Sequence, residues 1–240
     1  MRLAILCALT VNAALGQKFE VVSIKPNDSN SQNESDGNSG GRFRATNIPV
    51  RALIARAYGM PQAQVLGPDW LDAARFDIVA KFPEDFVLSV PNLPQVQAMH
   101  RNMLADRFKL EAHTETRSLP AYALVVDKKG AKLGDAKEGC SASRSNNYGT
   151  FIGTCITMKS FAEFVSWYAD LPVVDMTGVN GSYDVNLKWT VERKRADAGD
   201  SMVGTTLDIA LQEQLGLKLE RRKLPIDVLV VDRVEKPTEN

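Results

Sequence analysis

The sequence predicts an α+β fold of two similar halves, each β-α-β-β-α-β-β, with helices packed on mixed sheets. Three observations carry that reading. Four short motifs recur in the same order roughly 107 residues apart. Helical and strand periodicities alternate along both copies. Each copy also closes on a continuous apolar run, ALVVD or VLVVD, of the kind that suits a strand covered on both faces. The recurring motifs are GRFRATNI (41–48) with GTFIGTCI (149–156), FDIVAK (76–81) with YDVNLK (183–188), FKLE (108–111) with LKLE (217–220), and PAYALVVD (120–127) with PIDVLVVD (225–232). Such ordered self-similarity is the signature of a repeated architecture.

The elements follow in chain order. FEVVSIKP (19–26) is a strand ahead of the first copy. The polar run NDSNSQNESDGNSGG after it has too little apolar surface to order itself, so a mobile loop is expected there. A strand at 41–47 leads into a short amphipathic helix marked by Val50, Leu53, Ile54 and Ala57. The second copy offers a strand at 149–155 and a helix marked by Met158, Phe161, Phe164, Val165 and Tyr168. A hairpin is expected next in each copy, with FDIVAKF and YDVNLKW as the return strands. Gly178 and Gly181 would supply its positive-φ turn in the second copy, braced by Asp175 and Thr177. Helices over VQAMHRNMLADRF and TLDIALQEQLG follow, the latter stopped by Gly216. Two more strands complete each half. The division is a leader at 1–16, a first half within 17–134, and a linker with the second half at 135–240; a further loop is expected at 192–205.

Arg2, the apolar run Leu3–Leu15 and the small residues Ala14 and Gly16 ahead of Gln17 read as a secretory leader, so export to the periplasm or beyond is expected. The run is too short for a membrane span. Removal of the leader takes Cys7 with it and leaves Cys140 and Cys155, which are expected to pair. Two free thiols or half of a metal site are the alternatives, the second disfavoured because neither cysteine has a neighbouring Cys or His. Twenty-nine basic residues balance 29 acidic ones, so no global field draws in nucleic acid.

Candidate chemistry is sparse. Glu111, His113 and Glu115 alternate on one strand and would share a face, the arrangement a divalent cation needs, but charged alternation equally makes a solvent face, and that reading is preferred. His100, beside Met99 and Met103, is expected at the boundary of a helix's apolar stripe. Asp175-Met-Thr-Gly is close to the Asp-Thr-Gly loop of aspartic proteases, but an inserted residue breaks it and the first copy lacks a partner. No G-x-S-x-G, no phosphate-binding loop and no metallopeptidase motif is present, and nothing implies a cofactor. Trp70, Trp167 and Trp189 are candidates to line a groove, with core or boundary packing as the default.

The joint set FEVVSIKPN, GGRFRATNIPVRALIARAYG, W-x5-FDIVAK, LADRFKL and PVVDMTGVNGSYDVNLKW resembles an exported, highly paralogous soil-bacterial family of unknown function, expanded in Acidobacteria. In some relatives the domain is fused to membrane metallopeptidases of the beta-lactam-receptor type. Each half also resembles, on element order, the short N-terminal domain of secretins and TonB transducers, which are docking modules. These resemblances imply a non-catalytic binding or docking module of the cell envelope, with an envelope protein or ligand as partner. The alternatives are a carboxylate-dependent hydrolase acting on polymers and a ligand-sensing domain.

Overall fold

The computed structural model describes residues 18–29, 31, 33–89, 93–147, 149–190 and 205–237. The leader expected at 1–16 and nearly all of the loop expected at 192–205 lie outside those residues. The chain is α+β and divides into two compact units, Met1–His113 with Leu229–Asn240, and Thr114–Val228.

The first unit holds β1 (Val21–Pro26), β2 (Ser35–Ser39), β3 (Arg42–Pro49), α1 (Val50–Tyr58), β4 (Val65–Leu66), α2 (Trp70–Ala73), β5 (Arg75–Lys81) and α3 (Leu93–Phe108). Its antiparallel sheet has the order β1-β5-β3-β2. Along β3 the alternation Phe43 and Ala45 in, Arg42 and Arg44 out, buries one face, and Leu53, Ile54 and Ala57 of α1 join the same core. Each fully buried Phe or Leu in that core contributes about 1.5–3 kcal/mol.

β6 (Glu111–Val126) and β12 (Leu217–Arg233) each contribute residues to both units. The second unit adds β7 (Gly134–Asp135), β8 (Ser143–Asn147), β9 (Thr150–Ile156), α4 (Met158–Ser166), β10 (Val173–Asp175), β11 (Tyr183–Lys188) and α5 (Leu207–Leu215). Its antiparallel sheet runs β7-β11-β9-β8. Phe151, Phe161, Val165, Val185 and Leu187 form the centre of a separate core.

Three expectations are corrected. The polar run after β1 is not wholly loop: Ser35–Ser39 pairs antiparallel with Arg42–Thr46 of β3, and the Asn47 amide donates to the carbonyls of Ser31 and Asn33 at 2.8 and 3.0 Å. Backbone pairing and one side-chain amide hold what apolar burial does not. The predicted hairpins are absent. Val173–Asp175 lies parallel to Tyr122–Leu124 of β6, and Val65–Leu66 lies parallel to Leu229–Val230 of β12, while β5 and β11 pair antiparallel with β3 and β9. Finally, β6 and β12 are single strands of 16 and 17 residues where two shorter ones were expected.

Two matched motifs share a local device. Asn47 and Cys155 occupy the same position in GRFRATNI and GTFIGTCI, and both have positive φ, 55° and 57°. Each sits at a shift of register against the neighbouring strand. The Asn47 N–H donates to Asp77 Oδ1 at 2.9 Å, and the Cys155 N–H donates to Asp184 Oδ1 at 3.0 Å. Asp77 and Asp184 are therefore braces for a bulge, satisfying an N–H that the ladder leaves unpaired. Alanine at Asp184 is expected to lower unfolding stability by about 1–3 kcal/mol, the cost of a stranded donor, measured by urea titration. Asparagine, which keeps the acceptor, should recover most of it.

Cys140 and Cys155 form a disulfide, with Cα atoms 5.9 Å apart across a sequence separation of 15. Closing a loop of that size contributes about 3 kcal/mol in the chain-entropy picture. The Cys140→Ser/Cys155→Ser chain should unfold at correspondingly lower urea, and intact-mass analysis should find no titratable thiol at either position in the parent protein.

Candidate functional site

The side chains that converge on an open space in the second unit come from five separate stretches. Tyr122 stands on β6, Tyr168, Ala169 and Asp170 follow α4, Trp189 and Thr190 follow β11, Thr206, Leu207 and Asp208 open α5, and Leu219 is on β12. They line a cleft of about 650 Å³. That falls within the ~300–1,000 Å³ usual for small-molecule sites.

Local hydrogen bonds fix each wall. Ser166, buried at the end of α4, donates to the Ala162 carbonyl at 3.0 Å and accepts the Val173 N–H at 2.8 Å, which pins both ends of the turn carrying Tyr168–Asp170. The Gln214 amide clasps Lys188 through both backbone groups, at 3.0 and 2.6 Å, and ties α5 to the end of β11. The Thr190 N–H donates to the Thr205 carbonyl at 2.8 Å. An aromatic ladder runs from the core to the cleft. Phe151 and Phe164 are 4.1 Å apart, Phe164 and Tyr168 5.0 Å, and Tyr168 meets Trp189 edge-on at 5.2 Å. Trp189 is 8% exposed and Tyr168 39%, so the indole is held rigidly while the phenol ring faces solvent.

The charge of the cleft's described lining is one-sided. Asp170 and Asp208 line it, and no Lys, Arg or His is among its described lining residues. Partial burial and the Asp170 carboxylate, which accepts the Tyr122 hydroxyl, push the Tyr122 phenol above its usual pKa; exposed Arg221 acts in the opposite direction. Asp208 lies in the first turn of α5 and accepts the Thr206 hydroxyl.

The sequence candidates fall elsewhere. His113 Nδ1 is 2.8 Å from Asp232, Glu111 is 3.6 Å from Arg233, and Glu115 is bonded to Arg117. Among the described residues no group of three His, Cys, Asp or Glu side chains is placed to hold a metal ion. Thr177 donates its N–H and hydroxyl to Asp175 Oδ1 at 3.0 and 2.7 Å, and Gly178 and Gly181 have φ of 69° and 101°, a local turn joining β10 to β11. His100 is fully buried rather than at a boundary, edge-on to Phe19 and Phe43 at 5.2 and 4.5 Å. Trp167 is 49% exposed beside the cleft residue Tyr168, and Trp70 packs partly buried in the first unit. Tyr122, Asp170 and Asp208 had no signal in sequence, because only the parallel pairing of β10 with β6 and the return of α5 bring them together.

Residues 51–234 match the family described as protein of unknown function (DUF3738). The chain belongs to that family. The whole DUF3738 match includes every residue of the cleft, both paired cysteines and the brace Asp184, while β1, β2 and β3 precede it. No curated protein and no solved structure matches the chain. No helix among the described residues of this DUF3738 member is long and apolar enough to cross a membrane.

Proposed function

We propose that this protein is an exported, non-catalytic binding module of the cell envelope whose ligand site is the cleft of the second unit. The observation that carries this is the cleft's composition: three aromatic side chains and two carboxylates, with no His, Cys, Ser or Lys among its described lining residues. Aromatic walls with a few polar groups are how small ligands are held and oriented. Nucleophilic catalysis requires a hydroxyl or thiol activated by a base; among the described lining residues the hydroxyls that meet a carboxylate are the Tyr122 phenol with Asp170 and the helix N-cap Thr206 with Asp208, and neither has a histidine or lysine beside it. The Cys140–Cys155 disulfide and the leader-like first 16 residues support export. The common bulge at Asn47 and Cys155 supports two related halves.

A second reading has one observation in its favour. Asp170 and Asp208 share the cleft, and paired carboxylates are the working groups of glycoside hydrolysis. One experiment addresses both. Thermal unfolding of the protein is followed against amines, amino acids, dicarboxylates and oligosaccharides, with product analysis of the oligosaccharide samples. A ligand that binds only the native state raises the midpoint. Binding without turnover, lost when Ala169→Phe fills the cleft, is the expected result. Turnover that Asp170→Asn or Asp208→Asn abolishes would establish the hydrolase. Stabilisation that survives Ala169→Phe would move the site away from the cleft.

A further inference from the structure

We infer that the cleft of the second unit recognises an organic cation, a protonated or quaternary ammonium group, an inference that rests on the binding reading above and names its ligand class.

Three features of the site converge on positive charge. Two carboxylates, Asp170 and Asp208, give the described lining a formal charge of −2, and no cationic side chain among those lining residues offsets it. The N-terminus of the nine-residue helix α5 opens on the same space, since Thr206, Leu207 and Asp208 line it. Its dipole is equivalent to roughly +0.5 of a charge, which leaves the described lining negative. Arg221 on β12 acts on the Tyr122 hydroxyl through its charge alone, but it is exposed and is not among the described lining residues, so water screens it. The third feature is the arrangement of rings. Tyr122 on β6, Tyr168 just past α4 and Trp189 just past β11 come from three separate stretches, with Tyr168 and Trp189 inclined by 77°. Rings set at an angle present π faces and edges around one volume, and a cation over such faces is attracted by their quadrupoles.

Neutral sugars make use of aromatic walls too, but they need hydrogen-bond donors and acceptors in balance. Here two of the described hydroxyls already donate to the carboxylates, Tyr122 to Asp170 and Thr206 to Asp208, and each carboxylate keeps further acceptor lone pairs. An ammonium group brings donors or diffuse positive charge to that surplus. The tight contact of Trp189 with the core is also significant. At 8% exposure the indole cannot swing away, so the cation loses little to reorganisation of the site.

Phe82 matches Trp189 in sequence, at the ends of FDIVAKF and YDVNLKW. It is covered by Phe19 at 5.2 Å and Phe86 at 5.1 Å and is 3% exposed. Trp189 is itself covered at 8%, and the accessible ring of the second unit's cleft is that of Tyr168, at 39%.

The test uses choline against its neutral isostere 3,3-dimethylbutan-1-ol, which has the same shape without the charge. Isothermal titration of the full exported chain should show choline binding at least about tenfold tighter than the isostere, the scale of a cation–π contact reinforced by a carboxylate. Added NaCl should weaken choline and leave the isostere unchanged, a comparison that needs no variant. Asp170→Asn, checked for an unaltered melting curve, should erase most of the difference. Equal affinity for the two compounds would overturn the inference. Binding of chitobiose with choline silent would overturn the cation class while leaving the cleft as the ligand site. Silence from all three would count against both.

Discussion

Alanine at Gly216 is expected to lower stability by about 4 kcal/mol. Gly216 ends α5 in the left-handed region, φ 62°, where an L side chain pays roughly 1–2 kcal/mol. Space is the larger problem. A Cβ there would stand 2.1 Å from the Gly130 carbonyl oxygen and 3.2 Å from Ala131 Cα, both backbone atoms. Relief requires moving the 127–132 turn, which is held by the Asp127 N–H on the Gly216 carbonyl and the Lys132 N–H on the Leu215 carbonyl, each at 2.8 Å. Losing those bonds adds about 1 kcal/mol apiece. Gly178→Ala is the control: its φ is 69°, but its Cβ would meet nothing within 4 Å, so only the conformational penalty applies. Urea unfolding of the two variants should rank Gly216→Ala well below Gly178→Ala.

Acid should weaken the protein through His100 before it acts on carboxylates. His100 is 0% exposed. Its Nδ1 donates to the Val96 carbonyl at 2.8 Å, so Nε2 is the bare nitrogen, and it has no hydrogen-bond partner among the described residues. Burial lowers its pKa from 6.5 to about 4, and the positive charge of Arg56, which pairs with Asp36 and lies 5.2 Å from the Phe43 ring, pushes the same way. The Val96 carbonyl opposes both. A histidine whose pKa is depressed on folding stabilises fully above the unfolded value, and that contribution is lost as pH falls from about 6.5 through about 4. The fall converts to roughly 3 kcal/mol. The carboxylates held below their ordinary pKa by cationic neighbours, Glu20 beside Lys81 and Glu220 beside Lys218 and Arg222, act at the lower end of that range and beneath it. Urea midpoints between pH 7 and pH 4 should therefore decline in wild type and flatten in His100→Phe, which fills the same space without titrating.

What was legible in the sequence was local. The 3.6-residue stripe of Val50, Leu53, Ile54 and Ala57 and that of Met158, Phe161, Phe164 and Val165 became α1 and α4, because both stripes are buried, while Tyr168, the last residue of the second stripe, lies past the end of α4 and is 39% exposed. Gly216 closed α5 where a left-handed residue was needed. The cysteine pair followed from number and spacing. Strand partners were not legible. Val173–Val174 has the same alternation whether it turns back on Tyr183–Trp189 or runs parallel to Tyr122–Leu124, and only tertiary packing chooses the second. The cleft depends on that choice, since Tyr122 enters it only through β6. The roles of Asp77 and Asp184 were hidden for a different reason: a carboxylate that braces a bulge leaves no periodicity behind.

The most direct measurement leaves Trp189 as the sole indole. In a Trp70→Phe/Trp167→Phe chain, its emission reports on the cleft wall alone, edge-on to Tyr168. Titration with choline should give a saturable change in Trp189 emission with the same midpoint as the calorimetric heat. Heat of binding with no change in that emission would place the ligand elsewhere and contradict the account.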